Sequence, residues 1–117
     1  MAAPLVTLVA GNPDAVDYTP GSAVAAGDVI VQGKVVGIAT HDIPANTKGA
    51  LYVQGGVWKC PKAVLSTSAL GGGVLVYWDA SAGIVTATST SNEVFGYVDL
   101  AGAAAAATTV LVFKALP

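Results

Sequence analysis

The constraint that most narrows the folds open to this chain is an internal echo. Residues Val36 to Val53, VGIATHDIPANTKGALYV, return in altered form as Phe95 to Val112, FGYVDLAGAAAAATTVLV, 59 positions later and without a gap. Gly37 falls on Gly96, Ile38 on Tyr97, Ala39 on Val98, Leu51 on Val110 and Val53 on Val112, while the polar DIPANTK gives way to alanines. Apolar positions are kept and loop chemistry is not. The echo extends backwards, because GDVIV at Gly27 to Val31 has a counterpart in GGVLV at Gly72 to Val76, 45 positions on. The second repeat therefore carries an insertion of 14 residues (59 − 45), placed around the YWDASAG turn and the polar tract TATSTSN. A duplicated strand-loop-strand unit closing on itself predicts a small barrel.

Residue types agree with strands. Val, Thr and Ile are plentiful, Gly is 14 and Pro is 6, and a 3.6-residue apolar period is hardly seen. Strands are expected near Leu5 to Val9, Val29 to Gln32, Lys34 to Thr40, Ala50 to Gln54, Val57 to Cys60, Val74 to Trp78, Ile84 to Ala87, Glu93 to Val98 and Thr109 to Lys114. Turn signals at GNPD, TPGS, AAGD and DASAG separate them. The run Ala103 to Ala107 has high helix propensity, yet its partner in the first repeat is PANTK, so one short helical turn is the most it predicts. The expected fold is all-β: a small β-barrel of two related halves, with an N-terminal arm and first turn over residues 1–16 and a single domain over 17–117.

Composition narrows the function. At 117 residues the chain has 10% charged and 54% hydrophobic residues, with a mean hydropathy of +0.67. So small a domain cannot bury that much apolar surface by itself, and part of the excess is expected at contacts with other protein subunits. A membrane is not the expected partner. The longest apolar stretch, Leu100 to Phe113, is 14 residues and lies between Asp99 and Lys114, whereas a spanning helix needs about twenty. The N-terminal MAAPLVTLVAGNPD lacks the basic first region of a secretory signal. Five scattered lysines, no arginine and a net charge of −2 argue against nucleic acid. The single Cys60 excludes an intramolecular disulfide and fits a reducing compartment.

Candidate chemistry is sparse, and each instance has a plainer explanation. Asp14 and Asp17 could pair as acid and base or hold a cation, but aspartate beside Asn-Pro is turn chemistry. His41 with Asp42 suggests a dyad, although no Gly-x-Ser-x-Gly elbow supplies a nucleophile and the second repeat has Leu100 and Ala101 at this place. Alternation in VWKCPK puts Trp58 and Cys60 on one strand face, where a lone Cys behaves as a small hydrophobe. Gly71 to Gly73 is glycine-rich but no Lys-Ser/Thr pair follows. Trp58, Trp78, Tyr77 and Tyr97 could form a sugar platform, or fill a core or an interface. No catalytic, cofactor-binding or metal-binding residue is assigned, and an enzyme is not expected.

The run Asp17 to Ala63, then VYWDASAGIVTATS, then GYVDLAGAAAAATTVLVF resembles the tailed-bacteriophage capsid cement, or head decoration, proteins. The resemblance rests on Asp17-Tyr18-Thr19-Pro20, Ala26-Gly27-Asp28-Val29, Gly37-Ile38-Ala39 with Asp42-Ile43, Tyr77-Trp78-Asp79, and the alanine-rich segment before the final strand. The chain departs from the pattern at Gly72-Gly73, where Gly-Asp is usual, and in its apolar N-terminus. The resemblance implies a small barrel that binds the outside of the assembled head and bridges major capsid protein subunits, commonly as a homotrimer, in a virion assembled in the host cytoplasm. On this basis Ala2, Ala3, Pro4, Leu5, Val6, Thr7, Leu8 and Val9 are expected to lie along the coat as an arm, with Trp58 or Tyr97 anchoring a protein contact. A carbohydrate-binding or host-surface adhesion module displayed on a virion is the alternative.

Overall fold

Alternating β-branched and aromatic residues between glycine turns produce ten strands and no helix in the computed structural model, which describes residues 6–62 and 69–116. In chain order they are β1 (Thr7–Ala10), β2 (Asp14–Tyr18), β3 (Val29–Gln32), β4 (Val35–Ala39), β5 (Gly49–Gln54), β6 (Val57–Pro61), β7 (Leu75–Asp79), β8 (Ile84–Thr86), β9 (Glu93–Val98) and β10 (Thr109–Lys114). They form a six-stranded sheet, β1-β6-β10-β9-β7-β8, and a four-stranded sheet, β2-β5-β4-β3. All the ladders within the sheets are antiparallel. The all-β expectation holds, but the strands do not close into one ring. The larger sheet curls until β8 meets the end of β6 at a single parallel bridge, Lys62 to Val85, and with β8 only three residues long no ladder follows.

Each repeat builds three adjacent strands of one sheet. The first supplies β3-β4-β5 and the second β7-β9-β10, both as antiparallel meanders, while β8 lies in the insertion. Backbone hydrogen bonds match in kind: Gly27 N donates to Ala39 O at 3.0 Å, and Gly73 N to Val98 O at 2.8 Å. Both glycines have a positive φ, 84° and 79°, which only glycine adopts freely. These pairs correct the sequence alignment, since Gly73 follows Gly27 by 46 positions (73 − 27), not 45. Val74, rather than Gly73, thus stands where Asp28 stands. The second loop is also longer: Thr40 N bonds Ala50 O, and its counterpart Asp99 N bonds Leu111 O, so the offset has grown from 59 to 61 (111 − 50). The alanine run makes one turn, with Ala107 N donating to Ala104 O at 3.0 Å, and no helix.

Two strands cross from one sheet to the other. β1 pairs with β6 in the large sheet (Thr7 with Lys59) and β2 with β5 in the small one (Val16 with Leu51). The chain thereby runs as one long two-stranded ribbon, bent where Gly11 faces Gly55 and Gly56. A Cβ at Gly11 would sit 3.0 Å from Gly56 Cα, and Gly55 and Gly56 have φ of 87° and 77°. Only glycine permits the two backbones to approach so closely while turning the corner. Between the sheets, Val36 and Ile38 of β4 pack with Trp58, Val76, Trp78, Phe95, Val98 and Val112 from the large sheet. A second cluster, Val24, Ala39, Ile43, Leu51 and Val53, fills the other face of the small sheet.

Candidate functional site

The residues singled out for chemistry are put to structural use. Asp42 Oδ1 accepts a hydrogen bond from Ala26 N at 2.9 Å, and the His41 ring bonds Thr40 Oγ1 through Nδ1 at 2.6 Å. The first bond ties the loop to the turn before β3 and the second is to the adjacent residue, and no His-Asp hydrogen bond is among them. Asp14 and Asp17 both belong to β2 rather than to a turn, and Asp17 makes an exposed ion pair with Lys48 at 3.2 Å. Among the described residues no group of three His, Cys, Asp or Glu is placed to share a metal ion.

Cys60 is buried opposite Val110, and burial pushes its thiol far above the ordinary range, with the charge of Lys114 acting the other way. A thiol so raised is poorly nucleophilic. Lys114 is itself buried, its Nζ donating to Val53 O at 3.0 Å and Ala115 O at 3.2 Å and lying 5.3 Å from the Phe95 ring centroid. Burial lowers its pKa from 10.5 to about 8. Lys62, also buried, holds the alanine turn: its Nζ donates to the carbonyls of Ala104, Ala105 and Ala107, each at 3.1 Å. Alternation continues the core face of Trp58 and Cys60 to Lys62 and that of Val110 and Val112 to Lys114, but neither role was visible in sequence because the Ala104 and Val53 carbonyls that receive the ammonium groups come from distant segments.

The four aromatics do not share a platform. Trp58 and Trp78 are both buried; Trp58 donates from Nε1 to Gly55 O at 3.0 Å and lies 5.4 Å from Tyr52 with the ring planes tilted by 48°, while Trp78 lies 5.9 Å from Phe95. Tyr97 is 47% exposed. Of the expected arm, Ala2 to Leu5 lie outside the described residues. Val6 is buried in the core, and Thr7, Leu8 and Val9 are exposed on β1 at the margin of the large sheet. Among the described residues β1 pairs only with β6, so its other edge presents backbone donors and acceptors.

Two exposed surfaces and a polar cleft stand out. The first surface is the open edge of β1. The second is the outer face of the large sheet, where Tyr97 and the 41%-exposed Phe113 stand side by side in register. The cleft is built by the insertion and lined by Asp79, Ser81, Thr86, Thr88, Thr90 and Asn92. Asp79 Oδ1 accepts from Ser81 Oγ at 2.7 Å and from the Ser81 and Ala82 amides, which lowers its pKa. Among the described residues no helix is long and apolar enough to cross a membrane.

Comparison with protein-family models gives a match over residues 10–113 to the family described as phage cement protein. No curated protein and no solved structure matches significantly.

Proposed function

From the premise that the chain belongs to the phage cement protein family, we propose that it binds the outer surface of an assembled head and holds neighbouring major capsid protein subunits together. The family match, which spans nearly all the strands, carries this reading. The physical character of the molecule supports it. A cement works by multiplicity, each molecule needing only moderate affinity when many bridge subunits that would otherwise part. A charge-poor, apolar surface suits a contact made once and kept.

Residues 1–16 act in this reading as the coat-facing arm of a body formed by 17–117. Ala2 to Leu5 and the exposed Thr7, Leu8 and Val9 run along the coat, Val6 being buried in the core, and the open edge of β1 accepts a coat strand by backbone hydrogen bonding. Tyr97 is the aromatic anchor for a protein contact, and Trp58 supports the sheet from beneath. A homotrimer around a threefold position would multiply these links. Incubating the purified protein with undecorated heads tests the role: saturable binding at a fixed ratio to coat protein is expected, and binding that never saturates would refute it. Deleting Ala2 to Leu5, which leaves Val6 and β1 in place, should lower occupancy; full occupancy would remove the arm from the model of attachment.

One feature favours glycan adhesion as a second activity, the hydroxyl-rich cleft of the insertion. Glycan-array binding lost in Thr88→Val with capsid binding unchanged would support it.

A further inference from the structure

An antiparallel sheet with one face in water normally alternates apolar and polar residues along each strand. The large sheet does not follow that rule at its centre. Leu75, Tyr97, Phe113 and Val57 are successive register partners across β7, β9, β10 and β6. They face outward, because the residues next to them, Val76, Val98, Val112 and Trp58, are buried in the core. Tyr97 and Phe113 remain 47% and 41% exposed, so nothing among the described residues covers this row. A contiguous apolar row of this kind marks a protein contact.

The adjoining row indicates what covers it. Asp99 N donates to Leu111 O at 2.9 Å, and Leu111 pairs with Lys59. An acidic residue thus stands one strand to one side of β10 and a basic residue one strand to the other, with leucine between. Rotation by half a turn about an axis along β10 exchanges the two sides. It brings Lys59 of one molecule against Asp99 of another, twice over, and in the row beside it Phe113 meets Phe113 and Tyr97 meets Val57. In these two rows each charge meets its opposite and the central apolar groups meet apolar ones.

We infer that this face packs against the same face of a second molecule of this chain, about a two-fold axis running along β10. Such a contact is isologous, and the strands of the two sheets lie nearly aligned, as in a β-sandwich. A coat protein surface would place no demand on the face to complement itself. The inference goes beyond the capsid role proposed above and does not depend on it. Being two-fold, the contact is also distinct from one made within a trimer, and it would join molecules of neighbouring assemblies.

Sedimentation velocity of the full chain over a concentration series tests the pairing without any capsid. The native protein should self-associate. Lys59→Asp, which sets acid against acid twice, should weaken association by at least about tenfold, and adding Asp99→Lys should restore most of it. Because Asp99 Oδ1 also accepts a hydrogen bond from Ala101 N, Phe113→Asp serves as an independent disruptor, with circular dichroism to verify folding. A native protein that stays unassociated, a Lys59→Asp variant that associates normally, or a folded double variant no better than Lys59→Asp would overturn the pairing. So would a Phe113→Asp variant that loses head binding while self-associating unchanged, which would give the face to the coat.

Discussion

Single residues here reveal how a charge-poor core tolerates charge. Lys114 keeps its ammonium inside by bonding two carbonyls and facing the Phe95 ring, yet its proton is held less firmly than in water, with a pKa near 8 against 10.5. Between those two values the unfolded chain binds more protons than the folded one, so stability rises with pH across that window. It is complete above about 10.5 and lost as pH falls through about 8. Chemical denaturation from pH 7 to 11 should show the native protein gaining a few kcal/mol relative to Lys114→Met, of order 1.4 per pKa unit, while the raised Cys60 thiol costs both proteins stability at the alkaline end. A native-minus-variant difference that does not change with pH would mean that the ammonium reaches water. The sequence concealed this residue because Lys114 ends a strand, a place where a lysine is usually solvated.

At the scale of elements, what could be read from sequence followed from how strongly each strand was patterned. The strands of both repeats were legible because Val, Ile and Leu alternate there on a buried face. The strand β2 was missed, since DAVDY carries two aspartates beside Asn-Pro, and as the edge strand of the small sheet it can keep them in solvent. The repeat was found with slightly wrong offsets, because extra residues enter at loops, where side-chain identity weighs little. Aromatic residues were legible as important but not by location: Trp58 went to the core and Tyr97 to the surface, a choice fixed by register. The glycine corner was also hidden, for a glycine pair reads as a hairpin whether or not the chain changes sheets. Its importance is testable. Gly56→Ala should destabilise by about 1–3 kcal/mol, because φ is 77° and the new Cβ would lie 2.9 Å from Leu8 Cδ1 and 3.3 Å from Ala10 O. Gly73→Ala has nothing within 4 Å and bears only the backbone cost of φ 79°. Equal losses for the two would deny the corner its special role.

For the molecule as a whole, the ribbon matters more than either sheet. Because β1-β2 and β5-β6 each contribute to both sheets, neither sheet can be lost while the other stays intact. Unfolding should therefore be a single cooperative transition. Tryptophan fluorescence, reporting Trp58 and Trp78 in the large sheet, and far-ultraviolet circular dichroism, reporting both sheets, should give superimposable denaturation curves. Two separated transitions would show that the sheets are independent.

The same ribbon sets a timetable. Thr7 cannot find Lys59 until 52 further residues have been made (59 − 7), so the beginning of the chain must wait on the ribosome for its partner. Closing so distant a pair is slow, because the entropy of the intervening loop is lost before any contact repays it. Interlocked strands that form late must also part early for the molecule to come undone, which makes escape from the folded state slow as well. Were such a molecule to stay on a particle after assembly, that kinetic persistence would serve it better than a large equilibrium stability.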